Sequence, residues 1–290
     1  MELIEVADAV QLGVERMGVG PPVLLIGGLG MPSQIWELSG LTAALVDAGF
    51  SVIAYNTRGV APSTATEPPY SVDKLASDAE HLLEACGITE ALVVGYSLGC
   101  YTAQCLVRRR PDMVTGAVFL AGLQPSPIGA LVGQMELDLI GRLGEIPAQV
   151  RVFEQLMTTL SPAMLQDPET VSIWRQLLAD GDSLWSDRKG LHGQLAASFE
   201  WIMNEEPHPE HLAQISAPVL VLAFEHDVFF PPRTSRETAQ QIPNSQFKQI
   251  DGAAHGGLFS NETNVVETIA QFCADQRHRL DGGGSRYASP

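Results

Sequence analysis

The chain has 290 residues, 45% of them hydrophobic, enough to bury a large core as one domain or as one domain carrying an insertion. Acidic residues outnumber basic ones 34 to 17, giving a net charge of −17. A surface of that sign repels phosphates, so neither nucleic acid nor an anionic membrane is expected as a partner.

The opening MELIEVADAVQ carries acids where a secretion signal has basic and then apolar residues. No apolar run approaches the length of a membrane span. Cys86, Cys100, Cys105 and Cys273 show neither CxxC spacing nor a metal-ligand pattern, so free thiols in a cytoplasmic protein are expected.

Segments 2–6 and 11–17 suit an antiparallel pair. PVLLIGGLG (22–30), FSVIAYN (50–56), EALVVGYS (90–97), VTGAVFLAG (114–122) and APVLVLAFE (217–225) are short apolar runs bounded by Gly, Pro or polar residues. Buried parallel strands look like this. Helical periodicity fits 38–48, 73–86 and 98–109, so the class is α/β with a mostly parallel sheet flanked by helices. The alternation stops after Leu123. From Gln124 to about Glu206 the chain reads as helices separated by Pro and Gly, and strand-type sequence resumes at Ala217. Residues 1–123 and 207–275 are therefore expected to form the core, with 124–206 a helical cap inserted after the sixth strand; one continuous core with extra helices is the competing reading. The Gly/Ser-rich, polar end, 276–290, is expected to be a disordered tail.

Within ALVVGYSLGCYTAQ (91–104), a strand runs into Gly95-Tyr96-Ser97-Leu98-Gly99 and then into a helix. A nucleophilic serine must be exposed, rigid and close to donors that stabilise negative charge. A sharp strand-to-helix turn provides all three, and the crowded backbone needs small residues on either side. The helix start directs free N–H groups and the positive end of its dipole at the site, and the Leu98 amide can donate to a developing oxyanion.

With this context the chain resembles the α/β-hydrolase superfamily over roughly 2–275. The resemblance implies the α/β-hydrolase fold and a triad in the order Ser, Asp/Glu, His. APVLVLAFEHD then offers Asp227 as the acid, and DGAAHGGLF offers His255 as the base, which accepts the Ser97 proton while Asp227 holds its tautomer. Glu225 and Asp251 remain alternative acids, and His226 an alternative base. The family's usual His-Gly after the third strand is replaced by Gly27-Gly28, so the second oxyanion donor is expected to be the Leu29 amide, paired with that of Leu98. NTRGVAPS (56–63) resembles the family's Asp-x-Arg-Gly-x-Gly-x-Ser loop with Asn56 for the acid and Ala61 for a glycine; Arg58 is expected to bridge loops. A serine at the elbow argues against the dehalogenase and epoxide-hydrolase branches, which use aspartate there.

Neither metal nor cofactor is implied; the expected partner is a small-molecule substrate. The expected reaction is cleavage of a small, fairly apolar ester or lactone through an acyl-enzyme, as in the enol-lactonase and small-esterase branch. The alternative is biosynthetic work on the same fold: thioester release, cyclisation or elimination. Trp36, Tyr96, Trp174, Trp201 and Phe229 are the candidate pocket aromatics.

Overall fold

The apolar runs become the inner strands of one sheet. The computed structural model describes residues 1–7, 9–179, 184–260 and 262–282. The chain begins with β1 (Glu2–Glu5) and β2 (Gln11–Met17), followed by β3 (Pro22–Ile26), α1 (Gln34–Leu38), α2 (Leu41–Asp47) and β4 (Ser51–Tyr55). Next come α3 (Val72–Ala85), β5 (Ala91–Tyr96), α4 (Leu98–Arg109) and β6 (Val114–Leu120). Between β6 and the next strand lie α5 (Pro127–Leu143), α6 (Ala148–Thr159), α7 (Pro162–Leu165), α8 (Pro168–Ala179), α9 (Arg188–Met203) and α10 (Pro209–Ala213). The chain then forms β7 (Val219–Phe224), α11 (Pro232–Ala239), β8 (Ser245–Ile250), α12 (Gly257–Ser260) and α13 (Glu262–Gly282).

Among the described residues the sheet has eight strands in the order β1-β2-β4-β3-β5-β6-β7-β8. β1 and β2 are antiparallel to their neighbours, and all pairings from β4 to β8 are parallel. Each face of the sheet is covered by its own apolar cluster: α3 and α4 contribute to one, α2 and α13 to the other. The chain leaves β3 toward β4 and later returns to place β5 on the other side of β3. Such a reversal opens a crevice at the carboxyl ends of the two strands, where a ligand can sit. Ser97 and Leu29 both lie there.

β8 is not among the apolar runs of the sequence. SQFKQI has only two apolar residues, Phe247 and Ile250, and exposes Gln246 and Lys248, as suits an edge strand and not a buried run. The end of the chain also differs from expectation: α13 continues to Gly282, into the segment read as a tail, and 283–290 lie outside the described residues. All four cysteines are free. No helix among the described residues is long and apolar enough to cross a membrane.

The helices between β6 and β7 grip the core at several points. Ala61 and Ser186 donate backbone hydrogen bonds to Leu184 and Gly59, both 2.9 Å, pairing the chain before α9 with the loop after β4. The Gly256 amide donates to the Thr159 carbonyl at 2.9 Å, docking the end of α6 beside the loop that carries His255.

Candidate active site

Ser97 sits between β5 and α4 at φ +55°, ψ −119°, a conformation L-residues rarely adopt. The turn is tied down by its own backbone: the Ser97 N–H donates to Leu120 at 3.0 Å and its carbonyl accepts from Cys100 at 2.8 Å. The approach of α4 to β3 explains the glycine after the elbow. A Cβ on Gly99 would lie 2.1 Å from the Ile26 carbonyl oxygen, and that backbone atom belongs to the centre of the sheet. Gly99→Ala is therefore expected to destabilise the protein by roughly 3 kcal/mol or more, since the clash cannot be relieved by a side-chain rotation. Gly141→Ala in α5, where an added Cβ meets nothing within 4 Å, should be neutral or slightly stabilising. Urea denaturation of the two variants side by side checks the contrast.

Asp227 follows β7 and His255 follows β8, and the structure brings both to Ser97. His255 Nε2 lies 3.1 Å from Ser97 Oγ, and His255 Nδ1 lies 2.9 Å from Asp227 Oδ2. Asp227 is 3% exposed, and its other oxygen accepts from the amides of Phe229 at 2.9 Å and Phe230 at 3.0 Å. A buried carboxylate with both oxygens hydrogen-bonded is fixed in place. The alternative acids are engaged elsewhere. The exposed Glu225 caps the Gly252 amide at 2.7 Å, and Asp251 is exposed beside Gln249. His226 faces Glu225 at 3.7 Å.

The His255 ring is packed on several sides. Tyr96 stacks on it with centroids 5.4 Å apart and planes at 24°, and its hydroxyl donates to the His255 carbonyl. Burial raises the Tyr96 pKa, with the Asp227 charge adding to the effect, so the phenol remains a neutral donor. Phe229 meets the ring edge-on at 5.1 Å and Phe230 lies at 5.7 Å. Tyr96 therefore supports the histidine from behind, a role that no local motif in the sequence announces.

The aromatics proposed for the pocket separate into two groups. Phe229 touches His255, and Trp174 packs edge-on at 6.2 Å against Phe259 of α12, the short helix that follows His255. Trp36 and Trp201 are packing residues. Trp36 is fully buried and meets Tyr96 edge-on at 6.5 Å, whereas Trp201 stacks on Tyr101 at 5.5 Å under the Arg108 guanidinium. In both cases the ring's apolar area is spent on the core.

The loop after β3 runs against the serine: a Cβ on Gly28 would sit 3.2 Å from Ser97 Cβ. Leu29, the next residue, is half-buried, and Leu98 begins α4. The Ser33 amide at the far end of this loop donates to Asn56 Oδ1 at 2.6 Å, and Asn56 Nδ2 donates to the Ala61 carbonyl. An asparagine suits this position because it both accepts and donates. Arg58 is 4% exposed and forms a two-pronged pair with Asp78 of α3, at 2.8 and 2.5 Å, so it bridges loop and helix.

The helices between β6 and β7 also bury ionisable groups. Glu136 of α5 is 9% exposed and Arg151 of α6 is 5% exposed. Burial and the neighbouring Glu154 push the Glu136 carboxyl up to about 8, with Arg151 opposing. Burial likewise raises the Glu154 carboxyl, opposed by the hydrogen bond from the Thr158 hydroxyl at 3.2 Å. Because the folded state holds the Glu136 proton where the unfolded chain has lost it, stability falls as pH rises from 4.5 to about 8. Glu136→Gln removes that loss. Thermal unfolding should show the variant equal to wild type near pH 5 and more stable at pH 8, by about 4 kcal/mol at most.

Among the described residues, no group of His, Cys, Asp and Glu is arranged to hold a metal ion. Residues 21–262 match the family model for the alpha/beta hydrolase fold. The chain belongs to that family. It is 30% identical to Rhodomycin D methylesterase DauP of Streptomyces sp. strain C5, over 86% of this chain and 90% of that protein. It is 24% identical to a non-heme haloperoxidase of Rhodococcus erythropolis, over 94% and 99% of the two chains. Among solved structures, Rv0554 from Mycobacterium tuberculosis superposes with a TM-score of 0.83 at 26% identity, covering 94% of this chain and 98% of that one.

Proposed function

We propose that the protein is a serine hydrolase that cleaves a small, fairly apolar ester or lactone through an acyl-enzyme, with residues 124–206 acting as a cap over the site. The carrying observation is the hydrogen-bonded line from Ser97 through His255 to Asp227, with contacts of 3.1 and 2.9 Å, at a serine held at positive φ. His255 Nε2 accepts the Ser97 proton as Oγ attacks the substrate carbonyl. Asp227 keeps the second ring proton on Nδ1 and stabilises the imidazolium. The negative oxygen of the tetrahedral intermediate is received by the Leu29 and Leu98 amides, aided by the N-terminal end of the α4 dipole. The imidazolium then protonates the leaving alkoxide. Water, activated by the same histidine, releases the acid and restores Ser97.

The rings of Phe229 and Phe230 on His255, and the Trp174–Phe259 pair, favour an apolar acyl group. The similarity to a protein named a methylesterase favours an ester over the thioester and elimination alternatives. Hydrolysis of p-nitrophenyl esters of rising chain length, with Ser97→Ala as the control, tests the proposal. Ser97-dependent turnover with a length optimum supports it. Labelling of Ser97 by a fluorophosphonate without turnover of any ester would replace hydrolysis with the biosynthetic alternative.

A further inference from the structure

Gln194 is fully buried in α9, far from Ser97 in sequence, and both ends of its amide are bonded. Its Oε1 accepts from the Gly30 N–H at 2.9 Å. Its Nε2 donates to Thr57 Oγ1 and to the Arg58 carbonyl, each at 2.8 Å. The amide can adopt only this orientation, since a flip would set an NH₂ against the Gly30 N–H and an oxygen against the Arg58 carbonyl. Its anchor is rigid as well, because Arg58 is itself held by the buried Asp78.

Gly30 adjoins Leu29. Its φ is +66°, and a Cβ there would lie 2.7 Å from the Trp185 ring, so the loop is pressed against the insertion at this point. The turn is closed by the Met31 N–H donating to Gly28 at 3.1 Å. Gly27 and Gly28 offer no side chain by which the turn could be fastened. The direction of the Leu29 N–H therefore depends on a bond that comes from the helical insertion.

We propose that Gln194 is a positioning residue: it holds the loop after β3 so that the Leu29 amide points at the oxyanion, a role that rests on the serine-hydrolase function proposed above. The insertion thus completes the oxyanion site as well as covering it. A donor held in advance acts mainly on the transition state, so its loss lowers the rate of the chemical step and leaves ground-state binding largely unchanged.

Phosphonylation by an alkyl fluorophosphonate tests this without knowledge of the natural substrate. Ser97 Oγ bonds to phosphorus, the P–F bond breaks, fluoride leaves, and the Ser97 proton passes to His255. Charge develops on the phosphonyl oxygen, which draws on the same two amides. For Gln194→Leu the maximal labelling rate should fall about ten- to a hundredfold, with the half-saturating concentration within about twofold of wild type. Thr57→Val, which removes one anchor of the Gln194 amide, should show a smaller fall, and it decides the matter if Gln194→Leu gives no cooperative thermal transition. Labelling of the folded variants at the wild-type rate would overturn the inference while leaving the hydrolase proposal standing. A wild-type protein whose Ser97 does not react at all would overturn both.

Discussion

Ser97→Ala is expected to lower kcat on p-nitrophenyl esters roughly 10⁴- to 10⁶-fold while leaving the fold intact. The hydroxyl is the only group on the elbow that can form the acyl-enzyme in the proposed reaction, so what remains is the modest catalysis of the oxyanion donors acting on water. Little else changes. The φ of +55° strains alanine about as much as serine, and the elbow's tethers to Leu120 and Cys100 are backbone bonds that the substitution keeps. One side-chain hydrogen bond is lost, to His255, whose ring remains held by Asp227, Tyr96 and Phe229. The thermal midpoint should therefore stay within a few degrees of wild type, on the scale of about 1 kcal/mol for one hydrogen bond. Full activity in this variant would remove Ser97 from the chemistry and the acyl-enzyme with it.

Legibility of the fold followed burial. β3 to β7 are covered on both faces, so they read as continuous apolar runs. β8 is a mostly polar edge strand, and nothing in SQFKQI sets it apart from a loop. In the candidate site, Ser97 stands out because a local motif, strand, tight turn and helix, imposes its own residue types. Asp227 and His255 stand out only through the family's chain order, since an acid after a strand and a histidine in a glycine-rich loop are common. The supporting groups were not legible at all. Gln194 lies on a helix whose charged residues, Arg188, Lys189 and Glu200, are exposed, and a glutamine there reads as one more exposed amide. Its partners, Gly30, Thr57 and Arg58, are 136 to 164 residues away. Trp36 failed in the opposite direction: a large aromatic near a predicted site suggests a pocket wall, yet its area is used to back Tyr96.

The second large effect is expected at the acid. Asp227→Asn should reduce kcat about 10⁴-fold with KM nearly unchanged. The geometry explains why so small an alteration should be so costly. Asp227 Oδ1 accepts two amides, from Phe229 and Phe230, and an asparagine oxygen can take over that duty. Its NH₂ must then occupy the Oδ2 position, 2.9 Å from His255 Nδ1. A donor in that place requires Nδ1 to be the acceptor, which moves the ring proton to Nε2 and points it at Ser97 Oγ. In that tautomer the imidazole cannot take the serine proton, and an imidazolium would lose its counter-charge. The opposite rotamer would preserve the tautomer but set an NH₂ against two buried N–H groups, a cost of about 1–3 kcal/mol for each unsatisfied donor, so the first arrangement should prevail. Glu225→Gln keeps an oxygen for the Gly252 amide and should remain within about threefold of wild type, which separates the two carboxylates as candidates. Steady-state kinetics on one ester for both variants gives the answer. A large loss at Glu225 with little at Asp227 would reassign the acid, and with it the orientation of the imidazole on which Ser97 depends.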